Sequence, residues 1–149
     1  MSVMRRALLL LLILAGAALA FDGLDEARAE PNLERRSKLA LDNAVAALKA
    51  AREAYAAGDT AQTEKQGGAI EESVDLAYAS LLETGKNPRK SPRWFKHAEM
   101  ETRELLRKVE DFQHQMGYND RPLFDRVKAK LQQVHEDLLM GLMEGRKHK

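Results

Sequence analysis

The sequence predicts an all-α protein: an antiparallel up-down-up-down four-helix bundle, made of two long helical hairpins, that follows a cleaved signal peptide. Three observations lead to this prediction: an apolar run at the amino terminus, four segments of similar length separated by glycine and proline, and a helical spacing of apolar residues in each segment. Long helices joined by short connections pack antiparallel to their neighbours. An α-α solenoid is the alternative architecture, although the sequence has no 34-residue period of the kind that helical repeats show.

The amino terminus has the parts of a secretory signal peptide. Arg5 and Arg6 precede an unbroken apolar run over residues 7–20, which ends in the small-x-small pattern of a cleavage site. This run of 14 residues is shorter than the roughly 20 residues that a membrane-spanning helix needs. We therefore expect cleavage after Ala20 and export of the mature chain to the periplasm or the medium. An uncleaved membrane anchor and a later cleavage site after Ala29 are the alternatives.

The composition excludes several classes of protein. The 149 residues include 24 Lys and Arg, 23 Asp and Glu, and no Cys, and 44% of them are hydrophobic. The near-neutral charge excludes a generally basic nucleic-acid binder, and the apolar content excludes a disordered chain. Without cysteine there is no disulfide, thiol catalysis, Cys-ligated metal or lipobox. Since no asparagine begins a glycosylation sequon either, we expect a bacterial cell-envelope protein.

We divide the chain into a signal peptide (1–20), an acidic N-terminal segment (21–30), the four-helix bundle (31–145) and a basic tail (146–149). The four helices are expected at about residues 31–57, 60–84, 92–116 and 121–144. Their boundaries rest on first-turn prolines, capping side chains and terminal glycines. The prolines are Pro31 and Pro92, the caps are Asp59 or Thr60, Ser91 and Asp120, and the glycines are Gly58, Gly85, Gly117 and Gly145.

Apolar residues at alternating spacings of three and four mark the expected buried face of each helix. In the third helix these are Phe95, Ala98, Thr102, Leu105, Val109, Phe112 and Met116, and in the fourth they are Phe124, Val127, Leu131, Val134 and Leu138. In the second helix they are Ile70, Val74, Ala77 and Leu81. The first helix has a row of larger residues, Leu41, Val45, Leu48 and Tyr55, beside an alanine row, Ala40, Ala44, Ala47, Ala51 and Ala54. Such an alanine row lets a neighbouring helix come close.

Gly67 and Gly68 need a physical reason, because each costs roughly 1 kcal/mol relative to alanine inside a helix. Counting symmetrically from the turn between the first two helices places Gly67 opposite Ala50 and Ala51. We therefore interpret the pair as a close contact with the first helix. The alternative is a helix break that leaves residues 61–66 as a short separate turn.

No constellation of residues indicates catalysis, so we predict a nonenzymatic protein without catalytic residues, bound metal or cofactor. A di-iron bundle needs inward-facing Glu-x-x-His on two helices. The closest matches are Asp111 with His114, which faces outward, and Gln132 with His135, where an amide replaces the carboxylate. The remaining carboxylates of the third helix, which include Glu99, Glu101, Glu104 and Glu110, are expected mainly on its solvent side.

A periplasmic metal- or haem-binding bundle is the alternative function. His135 could serve as an axial haem ligand together with one of four methionines, namely Met100, Met116, Met140 and Met143. Methionines on a helical stripe are, however, more often core residues. His97 with Glu101, and His114 with Glu110, are read as surface pairs, with an exposed metal site as the less favoured interpretation.

Cations are concentrated at one predicted end of the bundle. Lys86, Arg89, Lys90, Arg93 and Lys96 occur with no acidic residue between positions 84 and 98. Antiparallel packing would bring the tail residues Arg146, Lys147 and Lys149 to the same end, and we call this whole set the basic pole. Without residues 1–20 the chain carries 22 basic and 23 acidic residues, so the basic pole is a local excess on an otherwise neutral molecule.

The basic pole suits an anion for a second reason. Cations in the first turn of a helix oppose its macrodipole, whereas the free N–H groups of that turn and the hydroxyl of Ser91 favour an anion. The predicted anion-binding residues are Lys86, Arg89, Lys90, Ser91, Arg93, Lys96, Arg146 and Lys147. The expected partner is an anionic envelope component or an acidic protein surface, not nucleic acid. The alternative is a solvated linker and a frayed tail that the acidic segment 21–30 neutralises.

Overall fold

The computed structural model describes residues 22–145, and every regular element within this range is helical, which confirms the all-α prediction. Five α-helices follow one another in it: α1 (Asp22–Ala29), α2 (Leu33–Ala56), α3 (Thr60–Glu83), α4 (Arg93–Gln115) and α5 (Asp125–Glu144). A 3-10 turn, Arg121–Phe124, leads directly into α5. Within residues 22–145, none of the helices has the length and apolar character that a membrane span requires. The predicted signal peptide lies outside the described residues.

Helix α1 lies in the acidic segment, for which the sequence predicted no regular structure. Ala27 is completely buried, and Gly23 lies so close to the side chain of Asn43 in α2 that a Cβ atom there would displace the Asn43 amide. Arg28 reaches Glu72 of α3 with its guanidinium 3.6 Å from the carboxylate. The acidic segment is therefore packed along the α2 and α3 hairpin, and it ends next to the start of α2, where Glu34 pairs with Lys86.

Side-chain caps fix the starts of α2 and α3. The Oδ1 atom of Asn32 accepts a hydrogen bond from the backbone N–H of Arg35 at 2.9 Å, so α2 begins two residues after Pro31. The predicted cap Asp59 accepts from the N–H of Gln62 at 3.0 Å. Each bond satisfies one of the N–H groups that a helix start leaves without a partner.

The predicted buried faces of α3, α4 and α5 form the core. Every residue of these three faces is at most 5% exposed. In α2 the alanine row is buried together with Leu41 and Leu48, whereas Val45 is 39% exposed. The small alanine side chains allow α2 and α3 to make the most extensive contact of any helix pair in the described range.

Helix α3 continues without interruption through Gly67 and Gly68. A Cβ atom on Gly67 would lie 3.2 Å from Cγ2 of Val127 and 3.4 Å from the ring of Phe124. The close contact predicted for Gly67 is therefore made with the start of α5, and the predicted partner helix α2 is wrong. A Cβ atom on Gly68 would have no neighbour within 4 Å.

The connection between α4 and α5 differs from the prediction. Asp120 makes no capping hydrogen bond, and α5 begins only at Asp125, after the 3-10 turn. The carboxylate of Asp120 instead accepts a hydrogen bond from the hydroxyl of Tyr55 at 2.9 Å. The predicted role of Asp120 as a cap is wrong because its side chain is turned toward α2.

Candidate functional site

The linker between α3 and α4 packs against the end of α5. Pro88 is buried, and a Cβ atom on Gly141 would lie 3.3 Å from its ring. Gly145 lies beside Asn87 and Arg89 in the same way. The end of α5 therefore lies next to the linker, as antiparallel packing predicts. The tail residues Arg146, Lys147 and Lys149 lie outside the described residues.

The five described cations of the basic pole fall into two groups. The ammonium of Lys86 pairs with the carboxylate of Glu34 at 2.5 Å. The other four are exposed and form no ion pair with any residue between positions 22 and 145; they are Arg89, Lys90, Arg93 and Lys96. The guanidinium of Arg93 lies 5.2 Å above the ring of Trp94. The linker and the first turn of α4 thus carry four positive charges without a described counter-ion.

Ser91 does not cap α4, which corrects the prediction for this residue. The cap position is occupied by Pro92, and no side chain accepts a hydrogen bond from the first turn. The backbone N–H of Ser91 donates to the carbonyl of Asn87 at 2.8 Å, which closes a turn in the linker. The first N–H groups of α4 therefore have no side-chain acceptor among the described residues.

A cavity of about 340 Å³ opens beside the linker, between the carboxyl-terminal parts of α3 and α5. Its walls are mainly apolar and include Leu82, Pro88, Phe95, Leu138 and Met140. Its ionisable residues are Lys86, Tyr78, Asp137 and Glu144. Lys86 is already paired with Glu34, whereas the carboxylates of Asp137 and Glu144 form no ion pair with a described residue. The charge of the cavity is therefore mainly negative. An anion is therefore better accommodated on the linker surface than inside this cavity.

Tyr78 is the tyrosine that lines the cavity. Burial raises the pKa of its phenol, and the neighbouring carboxylate of Asp137 raises this pKa further. Both effects disfavour the charged phenolate. The phenol is therefore a neutral hydrogen-bond donor at physiological pH.

Sequence reasoning missed a buried polar contact between α4 and α5. Glu99, expected on the solvent side, is only 8% exposed. Its carboxylate lies 3.0 Å from Nε2 of His135 and 3.5 Å from the guanidinium of Arg103. The sequence does contain a signal for this contact. Glu99 directly follows Ala98 of the predicted buried face of the third helix, and His135 directly follows Val134 of the predicted buried face of the fourth.

The candidate metal and haem ligands are dispersed. Within residues 22–145 there is no group of three or more His, Asp or Glu side chains that could hold a metal ion. Of the four methionines considered as axial ligands, Met116 is buried in the core, whereas Met100, Met140 and Met143 are exposed. His114 is exposed, and His97 stacks edge-on against Trp94.

The chain was also compared with known proteins. No family model and no curated protein matches it.

Proposed function

We propose that the protein is an exported, nonenzymatic component of the bacterial cell envelope whose basic pole contacts an anionic partner. The observation that carries this proposal is the group of four exposed cations within residues 89–96, none of them paired with a described residue. Clustered cations raise the positive potential of a surface and attract anions. Phosphate groups of envelope lipids are the partner chemistry that we favour.

The local backbone supports the same proposal. Arg93 and Lys96 lie in the first turn of α4, where the helix macrodipole is positive and cations are disfavoured by about 0.3–1 kcal/mol each. The uncapped N–H groups of this turn are hydrogen-bond donors for an anion. A bound phosphate would relieve the repulsion and satisfy those donors together.

We also propose that α2 to α5 form an up-down-up-down bundle. Two ion pairs between α3 and α5, Glu71 with Arg126 at 3.7 Å and Asp75 with Lys130 at 3.1 Å, advance along both helices in the same direction. A parallel course of the alternate helices α3 and α5 supports antiparallel consecutive helices. The arrangement places the linker and the end of α5 at one end of the bundle.

Export is a separate part of the proposal. The 14-residue apolar run supports cleavage after Ala20, and helix α1 begins only two residues later. Intact-mass measurement on the native protein should give a chain that begins at Phe21. A mass corresponding to the full chain, recovered with membranes, would contradict export with cleavage.

Anion binding is tested by charge reversal on the linker. We expect the triple variant R89E/K90E/R93E to lose cosedimentation with vesicles containing phosphatidylglycerol, whereas phosphatidylcholine vesicles should bind neither protein. Salt should weaken binding of the native protein, because exposed charges are screened beyond about 8 Å at physiological ionic strength. A matched control, K65E/R126E/K128E, makes the same change in net charge on residues that belong neither to the linker nor to the first turn of α4, and it should keep binding.

The variants also separate the partner classes. Circular dichroism and melting temperature should be nearly the same for all proteins, because the substituted side chains lie outside the core.

If soluble polyphosphate binds the linker cations but vesicles do not, the partner is an acidic polymer. Equal vesicle and polyanion binding by the native protein and R89E/K90E/R93E would refute a functional basic pole.

A further inference from the structure

A groove of about 310 Å³ lies between α2 and α4, away from the linker. Its floor is apolar and consists of Val45, Leu48 and Leu105, and its rim carries the charged residues Lys49, Arg52, Glu53 and Lys108. We call it the α2–α4 groove. It lies roughly 20 Å along α2 from Glu34, the residue that pairs with Lys86, at a rise of about 1.5 Å per residue. It is therefore a surface separate from the basic pole.

The groove is open because the described helices cover other faces of α2. Asn43 donates a side-chain hydrogen bond to Ser73 of α3 at 2.9 Å, and α1 packs on Asn43 through Gly23. Val45, two residues later, is left 39% exposed although its row was expected to be buried. Val45 thus faces solvent beside the buried side chains of Leu48 and Leu105, between two helices that are not consecutive in the chain.

The rim of the groove is positively charged. Three cations, Lys49, Arg52 and Lys108, line it against the single carboxylate of Glu53. None of the three cations forms an ion pair with a residue in the described range. Outside the groove on α4, Glu104 has its pKa lowered, mainly by its hydrogen bond to Arg107 and in part by the charge of Lys108.

Arg52 is held in place within the groove. Its Nη2 donates to the backbone carbonyl of Lys108 at 3.1 Å, and its guanidinium lies 5.8 Å from the centre of the Phe112 ring. Its Nε is buried and has no hydrogen-bond partner among the described residues. A positioned guanidinium beside an apolar surface is well suited to an anionic group, because it has donors in a rigid planar arrangement.

We propose that the α2–α4 groove binds an amphiphilic anion, meaning a compact apolar body that carries one carboxylate, sulfonate or phosphate group. The apolar body lies on Val45, Leu48 and Leu105, and the anionic group faces the three rim cations. The volume is near the lower end of the roughly 300–1,000 Å³ typical of small-molecule sites, so the ligand is small. This ligand site is additional to the anionic contact proposed for the basic pole.

The test uses two fluorescent probes that differ in charge. The native protein should bind 1-anilinonaphthalene-8-sulfonate more tightly than its uncharged analogue N-phenyl-1-naphthylamine. The variant K49Q/K108Q should weaken binding of the sulfonate probe by roughly two- to thirtyfold, since the two exposed charge pairs contribute about 0.2–1 kcal/mol each. It should leave binding of the uncharged probe unchanged.

Floor variants locate the probes on the protein. V45Q should weaken binding of both probes, because Val45 is part of the apolar floor. Since Val45 is partly exposed, the fold should tolerate the polar side chain. L82Q is the matched control, since Leu82 is 54% exposed and lines the cavity beside the linker. This control should bind both probes as the native protein does.

Three results would overturn the proposal: no preference of the native protein for the sulfonate probe, equal binding of that probe by K49Q/K108Q, or loss of binding in L82Q but not in V45Q. The variant R89E/K90E/R93E should retain full probe binding. Its vesicle binding and its probe binding are therefore independent measurements, so the basic pole and the groove can fail separately.

Discussion

The hydroxyl of Tyr55, at the end of α2, donates a hydrogen bond of 2.9 Å to the carboxylate of Asp120 and accepts one of 2.8 Å from the backbone N–H of Gly117. These two bonds join the connection between α4 and α5 to a helix more than sixty positions earlier in the chain. The Tyr55 ring also meets Phe112 edge-on at 5.7 Å. One side chain thus fixes the conformation of the turn that directs α5 back along the molecule.

Replacing Tyr55 with phenylalanine should lower the free energy of unfolding by about 1–3 kcal/mol, because hydrogen bonds to charged groups are among the stronger ones. The ring and its contact with Phe112 are retained in Y55F, so the loss reports on the hydroxyl alone. Denaturant unfolding measures it. Y118F is the control, since Tyr118 is 82% exposed, and it should change stability by less than about 0.5 kcal/mol. Equal effects of the two variants would contradict the role of Tyr55.

Gly67 and Gly68 should respond in opposite ways to a larger side chain. G68A should raise the free energy of unfolding by about 0.5–1 kcal/mol, because it gains helix propensity in open space. G67V should lower it by about 1–3 kcal/mol, since its side chain would crowd Val127 and Phe124. Thermal and denaturant melts of both variants check this prediction. A G67V protein as stable as the native protein would show that α3 and α5 are not in close contact.

The contact between Glu99 and His135 should contribute measurably to stability. H135A removes the imidazole partner of the buried Glu99 carboxylate. The guanidinium of Arg103, 3.5 Å away, then remains as its ion-pair partner. We expect a loss of about 1–3 kcal/mol at neutral pH, typical of a buried group that loses a partner. H114A is the matched control, because His114 is exposed. In a double-mutant cycle with E99Q, the effects of the two single changes should not add.

Tyr78 should titrate above its ordinary pKa of about 10, and D137N should bring its pKa only part of the way back, because burial is the larger cause. The folded state holds the phenol proton more tightly than the unfolded state does. The resulting stabilisation is complete below the unfolded pKa and is lost as the pH rises through the folded pKa. Absorbance of the phenolate measures the titration. An unchanged titration in D137N would exclude the carboxylate as a cause.

The spacing of apolar residues alone identified the buried faces of α3, α4 and α5, down to Thr102 within a row of apolar side chains. This was possible because a helix of 3.6 residues per turn must bury one stripe, whatever its neighbour is. Asp59 was recognisable as a cap because capping is a local interaction within four residues. The cluster of cations at residues 86–96 was likewise readable, since charge is a property of composition.

The contacts between individual residues of different helices required the tertiary structure. The sequence placed Gly67 against α2, yet its close neighbours are Val127 of α5 and Phe124 of the 3-10 turn before it. The burial of Glu99, the turn of Asp120 toward Tyr55, the docking of α1 and the exposed floor at Val45 are decided in the same way. Each depends on where a helix distant in sequence packs. The periodicity within one helix carries no information about the position of another helix. The physical reason is that burial of a stripe is specified locally, whereas its partner is chosen by the packing of the whole bundle.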